Sequence, residues 1–223
     1  MKKKLLFQAS TKFLLGLLIV GLLLFWPAGT IYYWNGWLFI GVLFIPMIVF
    51  GLVLWVKAPD LLEKRLRTNE TEEKQKQVIG LSIIIFVGGF IVAGLDYRYG
   101  GNSLPNSISY VAAIVLLISY GLYMEVTREN AYLSRTIEVQ ENQTVVDTGL
   151  YGIVRHPLYF VTVILFLAIP LILGSIYAFI IFLPYPLLLV KRIRNEEEVL
   201  TRELPGYAEY TKKVKYRLIP FIW

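Results

Sequence analysis

Between Phe13 and Val56 the chain carries no charged residue. Roughly 20 apolar residues in helix cross a bilayer core once, so this run holds two crossings. Trp26-Pro27-Ala28-Gly29-Thr30 and Asn35-Gly36 supply a break between them, and Tyr32, Tyr33, Trp34 and Trp37 form an aromatic belt. The pattern predicts a helical hairpin over about 13–33 and 36–56, with Pro46 kinking the second helix. A cleaved signal peptide is the competing reading of the first span; it is disfavoured because more membrane, not a soluble domain, follows.

Two more spans are expected at about 78–95 and 107–124, after a charged connector at 57–77 that includes Lys57, Lys64, Arg65 and Arg67. Leu158 to Val190 is again free of charge, about 33 residues, too long for one untilted span and short for two. It predicts a tight hairpin, about 159–172 and 175–190, turning near Leu173-Gly174-Ser175. With 57% hydrophobic and 17% charged residues, the fold class is an all-α polytopic membrane bundle of about five to six spans. The net charge of +6 reflects Lys and Arg at span ends, not a nucleic-acid partner. Basic residues cluster at the N-terminus and in the 57–77 connector, which predicts both termini on the cytoplasmic side. The absence of cysteine removes disulfides, thiolate metal sites and a cysteine nucleophile, and the single histidine argues against a zinc or di-iron centre. No metal is expected.

The segment from Glu125 to Pro157 is the longest polar stretch and is read as cytoplasmic. It ends in Gly149-Leu-Tyr151-Gly-Ile-Val-Arg155-His156-Pro157-Leu-Tyr159, which opens the last apolar run. Arg155 and His156 read equally well as anchors among lipid headgroups or as the lining of a polar pocket. If the last run is a hairpin, its two ends return to one face, so this segment and the tail after Val190 meet. Arg192 and Glu196 lie four apart and share a helix face; a surface ion pair of little energetic worth is the bland alternative. The ending Tyr216 to Trp223 predicts an interfacial anchor packed back on the bundle.

Five blocks occur in order: Val145-Val146 with Gly149-x-Tyr151, Arg155-His156-Pro157-x-Tyr159, Arg192-x3-Glu196-Glu197, Gly206-Tyr207-x2-Tyr210 and Arg217-Leu218-x-Pro220. Together they resemble the isoprenylcysteine carboxyl methyltransferase family and, more broadly, membrane methyltransferases that include phospholipid N-methyltransferases. The resemblance covers about the C-terminal 90 residues; Pro59-Asp60-Leu61-Leu62-x2-Arg65 is similar to prokaryotic members but less specific. It implies N-terminal transmembrane helices over 1–125 and a methyltransferase core over 126–223, with S-adenosylmethionine held at a cytoplasmic site. Carried over by position, the cofactor set is Gln140, Gln143, Thr144, Val145, Val146, Tyr151, His156, Pro157, Leu158, Tyr159 and Glu196, and the substrate arginine is Arg192. Arg192 and Glu196 are the expected catalytic pair.

The residue types suit that chemistry. No Gly-rich dinucleotide fingerprint follows a predicted strand. A sulfonium donor needs a carboxylate for its amino group or ribose, which Glu196 offers, and donors for its own carboxylate, from His156 or backbone N–H groups. Tyr151 and Tyr159 suit the adenine or the positive sulfur. Methyl transfer is an in-line displacement that mainly demands positioning. A carboxylate acceptor needs no base and would be oriented by Arg192, whereas an amine acceptor needs Glu197 or Glu196 as base. The expected reaction is methyl transfer to a lipophilic acceptor in the membrane, foremost a prenylcysteine-like carboxylate. A lipid amine and an unprenylated hydrophobic molecule are the alternatives within that class. Outside it stand an NADPH-dependent reductase of sterol-reductase type, for which only Arg128 and Arg135 are available near a 2′-phosphate, and a non-catalytic membrane protein.

Overall fold

The computed structural model describes residues 2–66, 73–134 and 136–223, and within them it is helical with no strand. Arg67 and Arg135 lie outside the described residues. Helix α1 (Lys2–Ala28) and α2 (Trp34–Lys57) form the expected hairpin. The first helix ends at Ala28, earlier than the expected 33, because Gly29 N–H bonds back to the Phe25 carbonyl and closes it. Asn35 and Gly36, expected in the break, lie instead in the first turn of α2, which runs through Pro46 as one helix. The 57–77 connector holds a short amphipathic helix, α3 (Pro59–Leu66), whose Leu61 and Leu62 bury against Leu5 and Leu54.

Helices α4 (Glu73–Gly100) and α5 (Asn106–Glu129) follow. α4 lies so close to α1 that a Cβ on Gly94 would stand 2.6 Å from the Leu24 carbonyl oxygen; small residues permit such approach in membranes. Phe39, Phe90, Leu116, Ile169 and Phe182 meet in the central apolar core. Outward, Leu14, Leu18, Ile45, Ile84 and Ile118 are exposed, as lipid-facing positions should be.

The last apolar run forms the expected hairpin, in uneven arms. α6 (Pro157–Ile172) starts with proline at its first position, where no N–H is needed. Its 16 residues reach about 24 Å, short of the hydrocarbon core. The turn lies at Leu173–Gly174–Ser175, with Gly174 at φ 73 and the Ser175 hydroxyl accepting from Ala178 N–H. The return arm divides at Leu183–Pro184 into α7 (Ile176–Phe182) and α8 (Tyr185–Glu203), because Pro184 and Pro186 interrupt the ladder. α8 continues well past the apolar run and carries Arg192 and Glu196 beyond it; α9 (Tyr207–Lys213) folds back. Among the described residues, five helical stretches are long and apolar enough to cross a membrane: Lys3–Ala28, Trp34–Lys57, Gln75–Gly100, Asn106–Glu129 and Ile176–Glu203. The shorter apolar helix Pro157–Ile172 is nested among them.

Candidate functional site

The tail joins the start of α6 through its backbone. Arg155 N–H donates to the Tyr216 carbonyl at 2.9 Å and His156 N–H to the Arg217 carbonyl at 2.8 Å. This docking brings three of the sequence blocks onto one carboxylate. Glu197 lies 2.8 Å from Arg155 Nε, 3.3 Å from His156 Nε2 and 2.6 Å from Arg217 Nε. The Arg155 contact is an ion pair rather than a directed hydrogen bond, since its Nε–H is not aimed at the oxygen. The side chains of Arg155, His156 and Glu197 are 8%, 5% and 11% exposed, so the cluster is nearly dry and its charges need one another.

That geometry bears on two expectations. Glu197 is engaged by the arginines and the histidine and does not stand ready as a base. His156 turns its ring toward Glu197. The pair Glu196-Glu197 concealed this division of labour, because adjacent residues on a helix point about 100° apart. Only the fold determines which of the two faces the docked tail.

The other carboxylate belongs to a cleft. Tyr159 OH donates to Glu196 Oε2 at 2.5 Å and accepts from Arg192 Nε at 2.9 Å, so a tyrosine from α6 bridges the two residues that share a face of α8. The Arg192 guanidinium also lies over the Tyr159 ring, 5.9 Å from its centre. The cleft is open to solvent and encloses about 860 Å³ including its mouth. Among the residues expected at a cofactor, Gln143, Thr144, Val145, Val146, Tyr151, His156, Leu158, Tyr159 and Glu196 line it, as does Arg192. Gln140 and Pro157 do not. Gln140 braces the wall instead, donating from Nε2 to the Tyr132 carbonyl and from its backbone N–H to Gln143 Oε1. Pro157 is buried as the first residue of α6.

Further lining comes from Asn130, Tyr132, Thr136, Leu204, Tyr207 and Tyr210, none of which the sequence had placed there. A signal was present for the last two in the Gly206-Tyr207-x2-Tyr210 block. The Tyr210 hydroxyl donates to the Tyr151 carbonyl at 2.7 Å and ties α9 to the 3₁₀ turn at Gly149–Gly152. That turn depends on Gly149, at φ 54: a Cβ there would stand 1.8 Å from Glu129 Oε1, the carboxylate that accepts from Leu150 N–H. Burial above all pushes the phenols of Tyr151 and Tyr207 well above their ordinary values, so both are neutral hydroxyls. Among the described residues, no group of three or more His, Asp or Glu is arranged to hold a metal.

Residues 111–202, from within α5 to nearly the end of α8, match the isoprenylcysteine carboxyl methyltransferase family. The chain is also 33% identical over 180 residues to the Delta(14)-sterol reductase TM7SF2 of Mus musculus, an alignment covering 79% of this chain. The chain spans 38% of the length of that relative. The family match includes the Arg155-His156-Pro157 and Arg192-x3-Glu196-Glu197 blocks and stops before the Tyr207 and Arg217 blocks, which the fold packs against the matched region. Over residues 111–202, less than half of its length, the chain is therefore similar to the isoprenylcysteine carboxyl methyltransferase family.

Proposed function

We propose that this chain transfers a methyl group from S-adenosylmethionine to a lipophilic acceptor, foremost a carboxylate of prenylcysteine type. The supporting observation is the Arg192–Tyr159–Glu196 bridge on the wall of a cleft beside apolar helices, within the region similar to the isoprenylcysteine carboxyl methyltransferase family. The residues suit the donor: Glu196 supplies a carboxylate, and the buried Tyr207 hydroxyl lines the same cleft without a hydrogen-bond partner, near the Tyr151 hydroxyl. Glu196, Tyr151, Tyr159 and the Gln143–Val146 wall would hold it. When bound, it supplies a methyl group on a sulfonium, already activated for in-line displacement. The chain's own task is then orientation. Tyr159 fixes the Arg192 fork, and Arg192 holds the acceptor carboxylate and strips it of water. For a phospholipid or other lipid amine, Glu196 is the base, because Glu197 is committed to its ion cluster. The acceptor enters from the bilayer and the donor from the cytoplasm, the side on which we also place both termini.

The identity to a Delta(14)-sterol reductase supports a second reading, reduction with NADPH. Against it, Arg128 pairs with Glu125 at 2.6 Å on an exposed surface, and the arginines lining the cleft, Arg155 and Arg192, face Glu197 or Tyr159. Calorimetry on the detergent-purified protein separates the two readings. Micromolar binding of S-adenosylhomocysteine, weakened tenfold or more in Glu196→Ala, is expected; NADPH binding in its place would establish the reductase.

A further inference from the structure

We propose that Tyr207 reads the nucleoside portion of the donor, its hydroxyl donating to a ring nitrogen or ribose oxygen. This rests on the S-adenosylmethionine reading and extends it to a residue beyond the matched family region. Tyr207 is 4% exposed, lines the cleft, and its hydroxyl has no hydrogen-bond partner. A buried hydroxyl without a partner is costly and rare in folded proteins, so a partner that arrives with a ligand accounts for its persistence.

Slack in the surrounding structure does not account for it. Tyr207 packs with Leu204, Tyr210 and Val214 and against Val139, Val145 and Leu200. Its neighbour Tyr210, on the same short helix, has its hydroxyl bonded to the Tyr151 carbonyl. The helix is thus held at the cleft, and one of its two tyrosines lacks a partner for its hydroxyl. The Tyr151 hydroxyl lines the same cleft, also buried, with the Asn130 side chain beside it. Val145, Leu200 and Leu204 supply an apolar wall beside these hydroxyls. An apolar wall with two neutral donors matches a flat heteroaromatic base and its sugar better than a charged amino-acid end.

The test is Tyr207→Phe in the full chain, with calorimetric titration of S-adenosylhomocysteine and of 5′-methylthioadenosine, which lacks the amino-acid end. We expect roughly tenfold weaker binding of both. The ligand-free unfolding temperature should be equal to or above that of the wild type, because no hydrogen bond of the free protein is lost. Unchanged affinity for both ligands overturns the assignment. So does weakening for S-adenosylhomocysteine alone, which would put the contact at the amino-acid end, or a lowered ligand-free unfolding temperature, which would make Tyr207 a structural residue. If the wild type binds neither ligand, the donor reading fails and this inference falls with it.

Discussion

The two ends of α6 are both polar, and they are polar for different reasons. At the Ile172 end neutral side chains answer the helix backbone. Asn35, fully buried, donates to Ser109 Oγ at 2.9 Å and to the Ile172 carbonyl at 3.0 Å, and accepts from Asn102 Nδ2 at 2.8 Å. Ser109 donates to the Leu171 carbonyl and Tyr33 OH to the Leu173 carbonyl. These are the carbonyls a helix end leaves without internal partners, and in lipid they must be answered by protein. The network completes the fold. At the His156 end the backbone is answered by the docked tail, Arg155, Arg217 and Glu197 carry charge, and the buried Tyr207 hydroxyl beside the cleft has no partner. Polarity that is consumed by backbone holds structure, whereas polarity left over beside a cleft is available to a ligand.

The largest effect should come from Glu197→Ala. It leaves the nearly dry Arg155 without its counter-charge, His156 without its partner, and frees Arg217 from the tail's attachment. Breaking such a cluster from one side costs about 3–5 kcal/mol, so the unfolding temperature in detergent should fall steeply. Glu197→Gln should fall less, since it retains an acceptor. If the alanine variant unfolds like the wild type, the charged end is not what docks the tail.

Tyr159→Phe tests function at the same end with less structural damage. The ring and its packing remain, while the bridge between Arg192 and Glu196 is lost. Turnover of an N-acetylated prenylcysteine should drop roughly ten- to a hundredfold through misplacement of the arginine. The unfolding temperature should change much less than in Glu197→Ala. Equal turnover would show that the bridge does not orient the acceptor.

Asn35→Ala examines the neutral end. Ser109, Asn102 and the Ile172 carbonyl each lose a partner, at an expected cost of about 1–2 kcal/mol. Binding of S-adenosylhomocysteine by the folded protein should be unaltered. A variant that kept its stability and lost affinity would reverse the contrast between the two ends.

What the sequence reveals and what it conceals divide along the same line. Charge-free runs and the Gly174-Ser175 turn signal are local, so the spans and the hairpin were readable, as was the approach of the 125–157 segment to the tail. Asn35 was misread as part of a break because Asn-Gly is a turn signal, and only partners 67 and more residues away make it a buried hub. α1 stops early at a backbone turn that Trp26 to Thr30 signalled without fixing its last residue. Glu196 and Glu197 are identical in type and adjacent, so their separation into cleft and ion cluster required the fold. Gln140 matched the family's pattern by position yet braces the wall behind Gln143, because its side chain is taken up by the Tyr132 carbonyl.

The smallest effect is expected where charge is exposed. Lys213 on α9 lies 2.6 Å from Asp147 in the loop, with side chains 66% and 41% exposed. The hydrogen bond and charge of Lys213 hold the Asp147 carboxyl below its ordinary value. A depressed carboxyl contributes stability above its unfolded value, near 3.9, and loses it as pH falls through the lower folded value. Solvent screens this pair, so Asp147→Asn should leave the unfolding temperature at pH 7 unchanged within error. Any small difference between its acid unfolding profile and that of the wild type should lie above the folded value and vanish at the most acidic end, where the wild type has lost the interaction. The pair also joins the loop to the helix that carries Tyr207. If Asp147→Asn weakened S-adenosylhomocysteine binding as Tyr207→Phe is expected to, placement of α9 would depend on an exposed ion pair. The Tyr210–Tyr151 bond and the apolar packing of Tyr207 would then be insufficient to hold the cleft wall.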